Sequence, residues 1–198
     1  MRSTQPFYQM TPDRVIDAVE SQGWLSDYRI LELNSYENRV YQVGIEGGDP
    51  VIAKFYRPAR WTDDQILEEH AFCFELAEQE LSVVAPLRAE DGRSLYVDRD
   101  FRFSLFPRRG GRAPELDDPD HLYKLGVTLG RIHAVGGSQP FITRPTLDVQ
   151  SFGWDNRQLV LNGFVPSSLH EAYARISEQL LKRVESVFNE HADLQQIR

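Results

Sequence analysis

Two stretches in which apolar and polar side chains alternate, Arg29–Leu33 (RILEL) and Arg39–Ile45 (RVYQVGI), are followed closely by a short apolar run, Val51–Tyr56 (VIAKFY), that reads as a third strand. A period of two predicts strands with one face buried. The first connection, Asn34–Asn38, is polar, and the second, Gly47-Gly48-Asp49-Pro50, is a strong turn signal. Two short turns join three strands into an antiparallel meander. The third strand carries an anomaly. Lys54 stands inside V-I-A-K-F, and burying an ammonium without a partner is costly.

The flanking pattern extends this frame. Thr11-Pro12 opens a first helix with Val15, Ile16, Ala18 and Val19 on its apolar face, and Gly23 ends it. Thr62-Asp63-Asp64-Gln65 is a capping box that launches a helix through Leu76 or slightly beyond. Asp91-Gly92 marks a hairpin between strands near Ser94–Val97 and Phe101–Pro107. Arg108–Pro114 (RRGGRAP) is a Gly-rich basic loop, beyond which the pattern is helical. Asp118-Pro119 starts one helix, with Leu122, Leu125, Leu129 and Ile132 at helical spacing. Residues 138–166 show no clear period, and Ser168–Glu171 is a second capping box opening a helix to about Asn189. The expected organisation is an N-terminal helical segment (1–28), a β-rich unit (29–107) and a helical unit (108–198).

Composition excludes several function classes. The chain has 198 residues, 41% hydrophobic and 26% charged, enough for a core. A net charge of −8 argues against nucleic acid or an anionic membrane as partner. One cysteine, Cys73, excludes an intrachain disulfide and reads as a small buried hydrophobe. No stretch approaches the roughly 20 apolar residues of a membrane span, and the N-terminus lacks the apolar core of a secretory signal. A cytoplasmic location is the expectation.

The chemistry rests on Lys54. A Lys in the third strand, in a V-A-I-K context, is the phosphate-binding Lys of kinases, paired to a Glu on the following helix. Glu68 and Glu69 are both candidates, but adjacent helical residues point about 100° apart, so only one can face the site. The bland alternative is a snorkelling edge-strand Lys with a solvated Glu pair.

Several blocks carry a resemblance: N-S-Y-E-N-R-V-Y (34–41), K-F-Y-R-P (54–58), W-T-x-D-Q-I-L-E-E-H (61–70), F-S-L-F-P-R-R-G-G (103–111), L-G-R-I-H (129–133) and F-I-T-R-P-T (141–146). In these the chain resembles bacterial Ser/Thr protein kinases of the stress-response type, within the aminoglycoside phosphotransferase and choline kinase-like superfamily. The resemblance implies an α+β fold: a protein-kinase-like small lobe, with a five-stranded antiparallel sheet and one helix, followed by the first helices of an α-helical large lobe. It implies ATP and Mg²⁺ as cofactors and a protein Ser/Thr hydroxyl as acceptor. It assigns α/β-phosphate contact to Lys54, with Glu69 as its partner, and phosphate contact to Ser35 in the place of a glycine-rich loop. It assigns adenine contact to a hinge of Phe103, Ser104, Leu105 and Phe106. Without the resemblance, Asn34–Asn38 is an ordinary polar turn and Phe103–Phe106 a plain core strand. Arg108, Arg109 and Arg112 are then a solvated loop, or with it a contact for an acidic or phosphorylated substrate. His133, Trp24, Trp61 and Trp154 read as structural.

Two alternatives remain beside the protein kinase: a kinase of an aminoglycoside, choline or homoserine-like small molecule, and a non-catalytic nucleotide-binding module. Phosphoryl transfer also needs a carboxylate at the acceptor hydroxyl and ligands for the metal. Family members supply these from an H-G-D-x-H-x-G-N type loop, which the 198 residues do not contain. His191-Ala192-Asp193 begins like one, but Arg198 stands where Asn is required. Asp100-Phe101-Arg102 and Ser151-Phe152-Gly153 precede any such loop and are rejected as metal sites. The expectation is a fragment ending just before the catalytic loop, with an exposed helical surface that drives self-association. The purified 198-residue chain is therefore expected to show no Mg-dependent phosphotransfer; radiolabel transfer from ATP to a protein substrate at a rate above background overturns this.

Overall fold

The computed structural model describes residues 7–191. Helix α1 (Pro12–Glu20) begins where the Thr11 hydroxyl accepts the Arg14 N–H at 3.4 Å, with proline in its first turn. Its apolar stripe is buried. Strands β1 (Ser26–Leu33), β2 (Arg39–Ile45) and β3 (Val51–Phe55) form the meander. Helix α2 (Asp63–Glu78) follows, then β4 (Tyr96–Asp98) and β5 (Phe101–Pro107). The strands make one sheet in the order β1-β2-β3-β5-β4, with every neighbouring pair antiparallel.

Register sorts the side chains onto two faces. Tyr41, Ala53 and Leu105 lie in one row across β2, β3 and β5, and Val40, Lys54 and Ser104 lie in the next. Successive residues of a strand point to opposite faces. The first row therefore belongs to the core face, where Val15, Ala18 and Val19 of α1 pack. Phe103 anchors that core, stacked on Phe55 at 5.1 Å and tilted against Tyr96 at 5.4 Å. Arg14 of α1 reaches Asp98 of β4 at 2.6 Å and lies over the Phe101 ring. The N-terminal helix thus packs as one layer against the β-rich unit. The second row, with Lys54, faces the opposite way, toward the side chains of α2.

Helix α3 (Pro119–Gly136) starts at the expected Asp118, whose carboxylate accepts the Asp120 N–H at 2.9 Å. The chain divides into two compact units between Leu129 and Gly130, inside this helix, so the packing boundary lies well beyond the compositional one at 108–114. In the second unit a π-helical turn, Gln150–Trp154, runs into α4 (Asp155–Gly163). Sequence periodicity misses α4 because only Leu161 of it is buried. Helix α5 (His170–Glu190) follows a 3₁₀ turn at Ser167–Leu169. The capping box expected at Ser168–Glu171 does not form, and no side chain caps this end. Ile176, Leu180 and Val187 of α5 are exposed. Ala192, Asp193 and Arg198 lie outside the described residues. Among the described residues no helix is long and apolar enough to cross a membrane. Cys73 is half-buried, not enclosed.

Phe103 has no exposed surface. Its replacement in F103A is expected to cost about 3–5 kcal/mol of stability, through lost burial and an unfilled cavity. Urea unfolding of the chain measures it.

Candidate functional site

Lys54 is the fourth residue of β3, opposite Val40 of β2, and its side chain leaves the sheet on the α2 side. Its Nζ donates to Glu69 Oε1 at 3.3 Å. The ion pair thus forms with Glu69, one of the two carboxylates the sequence offers. The Lys54 ammonium also lies 4.7 Å from the Tyr56 ring centre and 5.9 Å from that of Phe106. Tyr56 sits two residues along the strand, and Phe106 sits opposite Ile52 on the same face. The Lys54 side chain is 23% exposed and that of Glu69 36%. A charge held at a rim between two ring faces and one carboxylate keeps part of its hydration and has a partner for the rest.

One local contact fixes the start of α2, and two others hold it against the sheet. The capping box closes as the sequence predicts: Gln65 N–H donates to Thr62 Oγ1 at 3.2 Å and Thr62 N–H to Gln65 Oε1 at 3.1 Å. Arg102 of β5 holds the first-turn Asp63 with a forked contact, 2.8 and 3.3 Å. His70, one turn past Ile66 on the buried face, places Nε2 2.8 Å from Tyr56 Oη and Nδ1 2.8 Å from Ser94 Oγ. Burial pushes the imidazole pKa down to about 4; the Lys54 charge adds to this and Glu69 opposes it.

Ser35 closes the β1–β2 turn by donating its hydroxyl to Asn38 O at 2.7 Å. That turn is tied to the segment after β3: Asn38 Oδ1 accepts the Arg57 N–H at 3.3 Å, and Glu37 pairs with Arg60 at 2.7 Å. Asn38 stands two residues before Val40, which lies opposite Lys54, so the turn overhangs the Lys54 end of the sheet. The Phe103–Phe106 stretch is more deeply built in than a free hinge. Phe103, Ser104 and Leu105 have no exposed surface. The Arg102 carbonyl faces β3, where it accepts from Tyr56 N–H at 2.9 Å, so the backbone of Ser104 and Phe106 faces β3 as well. On the other side, Phe103 pairs with Tyr96 and the Leu105 carbonyl accepts from Leu87 N–H at 2.7 Å. Only Phe106 of the four is partly exposed, and the strand ends at Pro107.

Two residues of the site were not singled out by sequence. Tyr56 shares the Lys54 face by simple alternation, and His70 follows Ile66 by four positions on a buried helical face; both signals are readable, but neither says which polar groups will meet. A cavity of about 410 Å³ opens at the first turn of α2, lined by Arg57, Trp61, Asp64 and Arg102 among others, and does not include Lys54 or Glu69. Among the described residues Glu115, Asp118 and His121 approach closely enough to share a cation. They sit at the surface, and the His121 Nδ1 already accepts the Glu115 N–H at 3.0 Å.

The strands thus form one five-stranded antiparallel sheet, with a Lys–Glu pair between its third strand and the following helix. Residues 29–196 match the phosphotransferase enzyme family, and the chain belongs to it. It is 40% identical over 185 residues to stress response kinase A of Escherichia coli (strain K12), covering 93% of this chain and 56% of that protein. It is 38% identical over 179 residues to the serine/threonine protein kinase RdoA of Salmonella typhimurium, covering 90% and 54%. The chain thus spans about half the length of these curated relatives. Among solved structures it is similar to the amicoumacin kinase hAmiN in complex with AMP-PNP, Ca²⁺ and Ami, with a TM-score of 0.60, 23% identity, and 80% of this chain and 48% of that one covered. A spectinomycin phosphotransferase in complex with ADP and spectinomycin matches with a TM-score of 0.55 at 12% identity, covering 91% and 53%. At these identities the likeness is one of fold.

The depressed His70 pKa has a consequence for stability. Between about 4 and 6.5 the unfolded chain binds a proton at this position and the folded chain does not, so stability falls as pH drops through that window. The loss between pH 7 and pH 5 is expected to be about 2 kcal/mol from this group. Urea unfolding at the two pH values checks it, and H70Q should lose that part of the slope.

Proposed function

We propose that this chain is the nucleotide-binding part of an ATP-dependent protein kinase that phosphorylates Ser/Thr hydroxyls in a bacterial stress response, acting in the cytoplasm. The observation that carries the reading is the Lys54–Glu69 pair on the open face of the sheet. In this reading Lys54 donates to the α- and β-phosphates of ATP, and Glu69 holds the ammonium in place and offsets its charge before nucleotide arrives. The β1–β2 turn covers the phosphates. Because the Ser35 proton closes that turn, Ser35 serves mainly by shaping the loop, whose backbone N–H groups meet the anion. Phe106, beside Lys54 and partly exposed, takes the adenine face, while Phe103, Ser104 and Leu105 support it from within the sheet. Bound Mg²⁺ supplies charge neutralisation of the phosphates. The 198 residues hold no H-G-D-x-H-x-G-N segment, so the reading gives them binding and orientation, and assigns the base and metal ligands elsewhere.

The protein substrate is supported by the names of relatives near 40% identity. A second reading, a small-molecule kinase, is supported by solved structures of similar fold, an amicoumacin kinase and a spectinomycin phosphotransferase. The sheet that both share does not choose between acceptors. A panel of proteins and amino alcohols offered to a longer form, with label transfer as readout, separates them.

Lys54 is the direct test. K54M is expected to weaken AMP-PNP binding by about tenfold or more, with E69Q weakening it by a smaller factor. Calorimetric titration of the chain measures both, and an unchanged affinity in K54M removes the assignment.

A further inference from the structure

His70 is polar, yet only 1% of it is exposed, and phosphate binding has no use for a neutral imidazole. Both of its ring nitrogens are engaged. Nε2 faces Tyr56 Oη at 2.8 Å and Ser104 Oγ at 3.5 Å, and Nδ1 faces Ser94 Oγ at 2.8 Å. The ring therefore joins α2 to the residue just past β3, to β5 and to the segment leading into β4. Tyr56 does two things at once: its hydroxyl meets His70, and its ring face lies under the Lys54 ammonium. Glu69, which pairs with Lys54, is the residue next to His70 on α2.

We propose that His70 is a positioning residue: held between Tyr56 and Ser94, it fixes the rotation of α2 so that Glu69, and not Glu68, presents its carboxylate to Lys54.

The argument is one of directionality. Two residues of the first two turns of α2, Ile66 and His70, are fully buried. Apolar burial is non-directional, so Ile66 holds the helix on the sheet without setting its roll. Hydrogen bonds from opposite edges of a planar ring are directional and do set it. The Lys54–Glu69 pair is too exposed to do this itself, since rim ion pairs contribute at most about 1 kcal/mol. A roll of about 100° would exchange Glu69 for Glu68. The proton pattern is consistent: a Tyr56 O–H donating to Nε2 leaves the Nδ1–H to donate to Ser94 Oγ. A phenylalanine would fill the same volume but would offer no ring nitrogen to Tyr56 Oη or Ser94 Oγ.

The inference rests on Lys54 and Glu69 being the phosphate site, and the experiment separates the two. H70F, H70Q and Y56F are made in the 198-residue chain and compared by AMP-PNP titration, melting temperature and crystal structure. In H70F the Lys54–Glu69 contact is expected to open beyond about 4 Å, and AMP-PNP to bind about tenfold more weakly. H70Q keeps a polar group within reach of Tyr56 and should restore the contact, with affinity within about threefold of the original. Y56F loses only the hydroxyl and keeps its ring under Lys54. It should weaken binding by about threefold, and it carries the test if H70F does not fold. A Lys54–Glu69 contact that persists in H70F or Y56F with unchanged affinity overturns the proposal. A contact that opens in H70F, in a chain whose original form binds no AMP-PNP, removes the nucleotide reading and upholds the positioning role.

Discussion

An ammonium in the middle of a sheet face is the constraint from which much else in this chain follows. Lys54 stands in a row between Val40 and Ser104, and no neighbour in that row offers it a negative charge. The carboxylate must come from outside the sheet, and α2 brings it. The capping box at Thr62, the Arg102–Asp63 fork and the His70 hydrogen bonds are three independent holds on that helix. Each lies on a different part of it, so they act together on its start, its distance from the sheet and its rotation. The Lys54–Glu69 pair is better seen as the outcome of this anchoring than as its cause, because an ion pair at a rim gains little from its own attraction.

The two faces of the sheet divide the work. One face is closed by α1 and by rings such as Phe55 and Phe103, and it supplies stability. The other carries Lys54, Phe106 and the partly open ground between the β1–β2 turn and α2. A rigid, fully apolar back allows the front to hold exposed polar groups in fixed positions, which is the condition for orienting a phosphate. The second unit shows the opposite balance: its described helices leave apolar side chains such as Ile176 and Leu180 at the surface. The aligned part covers only 56% of a relative such as stress response kinase A of Escherichia coli (strain K12).

The parts of the site that were legible in sequence are those fixed by short-range rules. Strand alternation placed Lys54 among apolar neighbours, and the Thr62–Gln65 pattern fixed where α2 begins and so where Glu68 and Glu69 fall. The second capping pattern, at Ser168, failed because a 3₁₀ turn precedes α5 and leaves the serine outside the capping position. Helix α4 was missed because it buries a single leucine and so shows no stripe. Of the expected hinge, Phe103, Ser104 and Leu105 are buried inside the sheet and Phe106 is partly exposed. Alternating aromatics look the same in an interior strand as in a strand end, and only the partner at Leu87 shows that this one is still inside the sheet.

The sequence by itself determined the order of elements in the β-rich unit, the sheet's alternating faces and the presence of a strand lysine with two candidate partners, because these depend on residues within a turn or two of one another. Tertiary structure alone decided which glutamate meets Lys54, that Tyr56 and His70 join it, and that α1 closes the back of the sheet. Those outcomes depend on contacts between residues 14 to 84 positions apart in the chain, such as His70 with Tyr56 and Arg14 with Asp98. Local pattern carries no information about them, since the directions of two side chains become comparable only after the segments that bear them have packed.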